Sequence, residues 1–168
     1  MKNKKLLFLT QAAMIAAIYV VLTFIVNSFG LASGAIQVRL SEMLAILPFF
    51  TPAAIPGIYI GCLLSNLLTG ACLLDILAGS LASLIGALGA YALRKNKWLV
   101  PIPTIVANAI IVPFVLTSPY GYGLKDAWWY LVLTVGAGEV ISCGILGMIL
   151  LFSLQKNAGR IFGTAYQN

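Results

Sequence analysis

Long apolar stretches, separated by short polar or basic segments, constrain the fold of this chain more than any other feature. Of its 168 residues, 61% are hydrophobic and only 8% are charged, whereas about a quarter of the residues of a soluble domain are charged. About 20 apolar residues are enough to cross the hydrocarbon core of a bilayer as a helix. We therefore expect a single, all-α integral membrane domain that crosses the bilayer several times.

Five apolar stretches predict membrane-spanning helices, and a sixth is too short for a normal span. The five are residues 6–26, 53–68, 73–93, 99–117 and 127–154. The sixth, residues 42–50, has about half the usual spanning length and is followed by Thr51 and Pro52. The first stretch follows a basic start but exceeds the roughly 7 to 15 apolar residues of a secretory signal. We expect it to be retained as a span.

Basic residues mark the ends of these stretches and predict the topology. They cluster in residues 2–5, 94–97 and 156–160. Cytoplasmic segments are enriched in Lys and Arg, and placing all three clusters in the cytoplasm requires an even number of crossings between them. Residues 42–50 must then count as a thin or partly inserted helix. The prediction is a six-helix membrane bundle with cytoplasmic N- and C-termini.

Several catalytic and cofactor chemistries are excluded by what the sequence lacks. It contains no histidine, so Ser-His and Cys-His catalysis and the commonest metal ligand are absent. It also lacks a glycine-rich phosphate loop ending in Lys-Ser or Lys-Thr, the usual ATP-binding motif. Cys62, Cys72 and Cys143 lie in apolar surroundings and are expected to act as small hydrophobes. We expect no enzyme activity, no metal and no cofactor.

Three of the four acidic residues lie in or beside apolar stretches, where charge is costly. Glu139 is near the middle of the last stretch, where an ionisable group costs at least about 2.5 to 3.5 kcal/mol unless it faces a cavity or partner. Asp75 and Glu42 each begin a predicted helix, so a favourable N-terminal charge is an alternative to ligand contact. Gln37 and Arg39 add a dense polar group beside Glu42. These five residues are candidate ligand contacts.

Amides and aromatic rings complete the predicted site. Asn66 and Asn108 lie inside apolar stretches, where they address either a ligand or a neighbouring helix. Helical spacing places Trp128 on the same face as Glu139, and Tyr120 precedes it in the connecting loop, so either ring could stack on a ligand. Such a site suits a flat molecule rich in N–H donors.

The first apolar stretch also carries paired alanines at Ala12, Ala13, Ala16 and Ala17. Small residues four apart allow close approach between membrane helices. These alanines either pack inside the bundle or dock an external partner helix, and two overlapping registers leave the docking face open.

The segment QVRLSEMLAILPFFTPAAIPGIYIGCLLSNLL, followed by Asp75 and the GSLASLIGAL run, resembles the QueT family of queuosine-precursor transporters. The resemblance covers nearly the whole chain. That family is grouped with the substrate-binding S components of energy-coupling factor (ECF) transporters, which are six-helix bundles in the bacterial cell membrane. The resemblance implies three partner subunits, a membrane T component and two cytoplasmic ATPases. It also implies that the T component docks on an alanine-x-x-x-alanine pattern of the first helix.

The resemblance also implies a deazaguanine ligand, either the aminomethyl or cyano precursor or the base queuine. A carboxylate can accept two adjacent N–H donors of a guanine-like edge. We expect Glu139 on that edge, Glu42 or Asp75 on a cationic arm, and Trp128 or Tyr120 stacked on the ring.

Three other functions remain open. The same scaffold could carry a different vitamin or heterocycle, or serve as a ligand-free membrane scaffold subunit. An intramembrane enzyme is disfavoured, because aspartyl chemistry needs two carboxylates about 3 Å apart and nothing in the sequence brings such a pair together.

Overall fold

The computed structural model describes residues 4–29 and 39–163, and within these ranges the ordered elements are all helical. They are α1 (Lys4–Ser28), a 3₁₀ helix (Leu40–Phe49), α2 (Ala54–Leu68), α3 (Leu73–Ala92), α4 (Ile102–Thr117), α5 (Trp128–Gln155) and α6 (Ala158–Phe162). The all-α prediction is confirmed. The predicted count of six is not exact, because the short helix α6 follows the last apolar stretch.

Three of these helices, α1, α3 and α5, are long and apolar enough to cross a membrane by length and composition. The 15 residues of α2 and 16 of α4 rise only about 22 to 24 Å at 1.5 Å per residue. The hydrocarbon core is about 30 Å thick, so these two helices need support from their neighbours. The architecture is that of a multi-pass helical membrane bundle.

The 3₁₀ helix is the buried centre of the bundle. It packs against α1, α2, α3 and α5, and most of its residues, Glu42 and Leu44 to Pro48 among them, are buried. Its ten residues exceed the usual 3₁₀ run of about three or four, which requires strong tertiary support. The short apolar stretch of the sequence is therefore enclosed by protein.

The 3₁₀ helix returns the chain between α1 and α2, which therefore run parallel, and the later segments alternate in direction, so the bundle has two chemically different ends. The chain turns between α2 and α3 and between α4 and α5 at one end, where Arg39 also precedes the 3₁₀ helix. The opposite end, called the basic end below, collects the basic residues of the helix termini. These are Lys4, Lys5, Arg94, Lys95, Lys97, Lys156 and Arg160.

Prolines lie at the start of α4 and do not break it. Pro101 and Pro103 occupy its first positions, where missing N–H groups cost little. Only Pro113 lies inside α4. The irregular backbone is found in α5, where residues Val140–Leu146 form a π-helical segment directly after Glu139. Such segments are frequent at functional sites.

Glycine allows α1 and α2 to pack closely. A Cβ added at Gly61 would lie 2.7 Å from the Cβ of Tyr19 and 3.1 Å from the Cα of Ala16. We expect Gly61→Ala to lower the free energy of unfolding by about 1 to 3 kcal/mol, because neither neighbour can move away cheaply. Unfolding in mixed detergent micelles measures this. Gly159→Ala is the control, since a Cβ there meets nothing within 4 Å, and equal destabilisation by both changes would contradict the packing argument.

A buried acidic site beneath a polar cavity

A cavity of about 460 Å³ opens at the end of the bundle opposite the basic end. It lies among the end of α1, the start of the 3₁₀ helix, the turn between α2 and α3, the end of α4 and the loop that follows it. Its lining includes three predicted site residues, Arg39, Asn66 and Asp75. The other lining residues are Thr23, Val26, Asn27, Ser41, Thr69, Gly70, Ala71, Val112, Leu116, Tyr122 and Leu124.

Arg39 links the cavity wall to three elements of the bundle. Its Nη2 donates to Oδ1 of Asn66 at 3.1 Å, and its backbone N–H donates to Oγ of Ser142 in the π-helical segment, also at 3.1 Å. Asn66 in turn donates weakly, at 3.4 Å, to the backbone carbonyl of Asp75. This network fixes the guanidinium at the bottom of the cavity.

Two buried carboxylates lie outside the cavity lining and interact with Arg39. Glu42 is fully buried and Glu139 is only 3% exposed, and the two interact electrostatically with each other and with Arg39. The hydroxyl of Tyr19 donates to Oε1 of Glu42 at 2.5 Å. Oε2 of Glu42 and Oε2 of Glu139 have no hydrogen-bond partner. Both carboxylates therefore retain acceptor capacity that the protein leaves unused.

One face of α4 adds two more buried polar groups to this acidic pair. Asn108 interacts with Glu139, while Nδ2 of Asn108 and Oγ1 of Thr104 lack hydrogen-bond partners. Thr104 and Asn108 are four residues apart and so share a face. Sequence reasoning missed Thr104, because a threonine in an apolar helix usually bonds the carbonyl four residues earlier and gives no signal of its own. These four residues, each with one side-chain atom that lacks a hydrogen-bond partner, are called the deep polar cluster below: Glu42, Thr104, Asn108 and Glu139.

The predicted aromatic residues lie differently from expectation. Tyr120 is 89% exposed and Trp128 is 48% exposed, and neither lines the cavity. Tyr122, which the sequence did not single out, lines it and donates its hydroxyl to Oδ2 of Asp75 at 3.1 Å. Two positions separate Tyr120 from Tyr122 in a loop with three glycines or prolines, and helical spacing could not tell which ring points inward.

The bond between Tyr122 and Asp75 joins the loop after α4 to the first turn of α3. Burial, together with the neighbouring Asp75 carboxylate, raises the pKa of Tyr122 to about 12. Because this lies above the ordinary tyrosine value, the protonated hydroxyl is favoured in the folded protein. The bond is therefore present at neutral pH and is lost only as the pH rises towards 12.

The remaining predicted residues are Gln37 and the four alanines of α1. Gln37 lies outside the residues that the structure describes. Ala12 and Ala16 are buried, where they face the glycines of α2, whereas Ala13 and Ala17 are exposed. Of the two alanine registers, only Ala13 with Ala17 is accessible to an external helix.

The chemistry available to this site is ligand binding by hydrogen bonds and charge. Among residues 4–29 and 39–163, no group of three or more His, Cys, Asp or Glu side chains could hold a metal ion. The site combines three carboxylates with one guanidinium, and its unused donors and acceptors lie beneath a cavity that is open at one end of the bundle.

These features define a multi-pass helical membrane protein with a polar, ligand-sized cavity at one end and a buried acidic pair beneath it. Residues 9–156 match the family described as QueT transporter, and the chain belongs to that family. One relative, from Lactococcus lactis subsp. cremoris (strain MG1363), is described as "Queuosine precursor transporter QueT" and is 36% identical over 85 residues. That match spans 51% of this chain and 50% of the relative, about half the relative's length. No solved structure matches the chain significantly.

Proposed function

We propose that this protein is the membrane-embedded S component of an ECF-type importer and that it binds a queuosine precursor. The family match and the description of the Lactococcus lactis relative support the cargo class. The importer needs a T component and two cytoplasmic ATPase subunits, because this sequence has no phosphate-binding loop of its own. All of the chain then acts as one transmembrane domain.

The observation that carries this proposal is the pair of buried carboxylates with unpartnered oxygens. A buried carboxyl oxygen without a hydrogen-bond partner is unfavourable, so these groups are maintained at a cost that a ligand can offset. A deazaguanine offers adjacent N–H donors to Glu139 and a carbonyl to Nδ2 of Asn108. Glu42 or Asp75 then faces the cationic arm of an aminomethyl precursor, and Tyr122, Tyr120 or Trp128 covers the ring.

The distribution of charge supports an orientation for the bundle. The basic end carries the Lys and Arg residues at the helix termini, and cytoplasmic segments are enriched in these residues. With the basic end in the cytoplasm of a bacterial cell, both termini are cytoplasmic and the cavity opens to the outer face. A ligand arriving from outside then reaches the cavity before it meets the acidic pair.

Titration of the purified protein tests the cargo. We expect aminomethyl-deazaguanine or queuine to bind with a dissociation constant below about 1 μM, which corresponds to at least ~8 kcal/mol. Biotin, thiamine and riboflavin serve as comparison ligands. Micromolar or weaker binding of both deazaguanines would contradict the cargo, and tight binding of a comparison ligand would assign the same scaffold to another heterocycle.

Docking on the T component is predicted to use the exposed alanines. Leucine at Ala13 or Ala17 would hold two helix backbones apart, because close approach requires small residues. We expect either change to lower the yield of co-purified T component and ATPases by about tenfold or more, equivalent to ~1.4 kcal/mol, with ligand affinity unchanged. Ala127→Leu, also exposed but at the cavity end, is the matched control. Equal loss in the control would argue against this docking face.

A further inference from the structure

Arg39 occupies the boundary between the cavity and the deep polar cluster. It lines the cavity, whereas Glu42, Thr104, Asn108 and Glu139 do not. Its backbone carbonyl accepts from the N–H of Glu42 at 2.9 Å, and its own N–H donates to Ser142, which follows Glu139 in α5. Its charge also interacts with Glu42, Asp75 and Glu139. A molecule that moves from the cavity towards the unpartnered carboxylate oxygens therefore meets the guanidinium first.

Acidic residues outnumber basic residues at this boundary. Three acids, Glu42, Asp75 and Glu139, interact with a single cation, Arg39, in the part of the chain described around the site. Tyr19 and Tyr122 supply hydrogen bonds to two of these acids, but no positive charge. A buried carboxylate without a counter-ion is strongly unfavourable, so the site depends on Arg39 as long as no other cation enters.

The chemistry of Arg39 resembles that of the ligand which the site is suited to bind. A guanidinium presents adjacent N–H donors in a plane, which matches the two oxygens of a carboxylate. We propose that Arg39 is the internal counter-ion of the Glu42 and Glu139 pair, that a ligand cation takes its place, and that Arg39 thereby sets the preference between cationic and neutral ligands. The ligand preference rests on the proposed function, whereas the counter-ion role does not.

Chemical rescue tests the counter-ion role without any deazaguanine. Arg39→Ala removes the guanidinium and leaves space that is continuous with the cavity. We expect 10 mM methylguanidinium to raise the thermal midpoint of this variant by about 3 °C or more above the value in 10 mM KCl, and to leave the wild-type midpoint unchanged. Equal effects of the two salts on the variant would overturn the proposal.

A second variant covers the case in which Arg39→Ala does not fold. Adding Glu139→Gln removes one of the two buried acids, and we expect the double variant to recover folded protein. Failure of the double variant as well would show that Arg39 is needed for its shape and not for its charge, which overturns the proposal. Arg39→Lys keeps the charge, so its thermal midpoint should lie close to that of the wild type.

Two ligands that share a ring but differ in charge test the preference. The aminomethyl precursor is a cation and the cyano precursor is neutral. In Arg39→Ala we expect the ratio of their affinities, cationic over neutral, to rise by about tenfold or more relative to wild type, and in Arg39→Lys to stay within about threefold. An unchanged ratio in Arg39→Ala would exclude charge selection. A wild-type protein that binds neither ligand would refute the proposed cargo, while the rescue result would still decide the counter-ion role.

Discussion

Glu139→Gln is expected to weaken deazaguanine binding by about 100-fold or more, equivalent to ~2.7 kcal/mol. The carboxylate can accept two N–H groups of a guanine-like edge, and each charge-assisted hydrogen bond contributes about 1.5 to 3 kcal/mol. Glutamine keeps the shape but offers one acceptor, and its NH₂ group would oppose a ligand donor. Calorimetric titration of the purified variant measures the loss.

This variant should remain folded, because it replaces a buried acid whose Oε2 has no partner. Asp126→Asn makes the same chemical change at an exposed position outside the cavity and should bind with wild-type affinity. If Glu139→Gln binds as tightly as Asp126→Asn, the carboxylate does not contact the ligand. A variant that assembles with its partners and imports normally would identify the chain as a scaffold subunit.

Tyr19→Phe is expected to lower the free energy of unfolding by about 1 to 3 kcal/mol. The hydroxyl is the donor to Oε1 of Glu42 at 2.5 Å, and Oε2 of that carboxylate already lacks a partner. Without Tyr19, Glu42 would be buried with neither oxygen satisfied by a side-chain hydroxyl. Unfolding in mixed detergent micelles gives the difference.

The pairwise nature of this effect can be checked with two further variants. Tyr130→Phe removes a hydroxyl from a largely exposed ring and should change stability by less than about 0.5 kcal/mol. In a Glu42→Gln background the cost of Tyr19→Phe should fall, because the charged acceptor is gone. A cost that stays the same in that background would mean that Tyr19 contributes through ring packing alone.

The helices could be predicted closely from hydropathy, because length and composition decide which segments enter a bilayer. The observed α2 (Ala54–Leu68) and α3 (Leu73–Ala92) differ from their predicted bounds by one residue. The start of α4 was placed three residues early, since hydropathy alone does not show that Pro101 and Pro103 mark the first turn of the helix. The type of the short central helix was not predictable, because a ten-residue 3₁₀ run depends on neighbours from four other helices.

The acidic residues of the site could be predicted because charge is expensive in an apolar stretch, and that argument needs no knowledge of the fold. It identified Glu42 and Glu139, which the structure brings together. Residues that contact these acids but carry no charge could not be found by this argument. A tyrosine or a threonine is ordinary in an apolar helix, and only tertiary packing brings Tyr19 to Glu42 and Thr104 close to the cluster around Glu139.

Determining the structure of the protein with aminomethyl-deazaguanine bound tests the central claim most directly. The account predicts ring N–H groups within about 3 Å of Oε2 of Glu139, with the guanidinium of Arg39 moved away from the acidic pair. A ligand confined to the outer cavity, with Arg39 in place and both carboxylate oxygens still unpartnered, would contradict it.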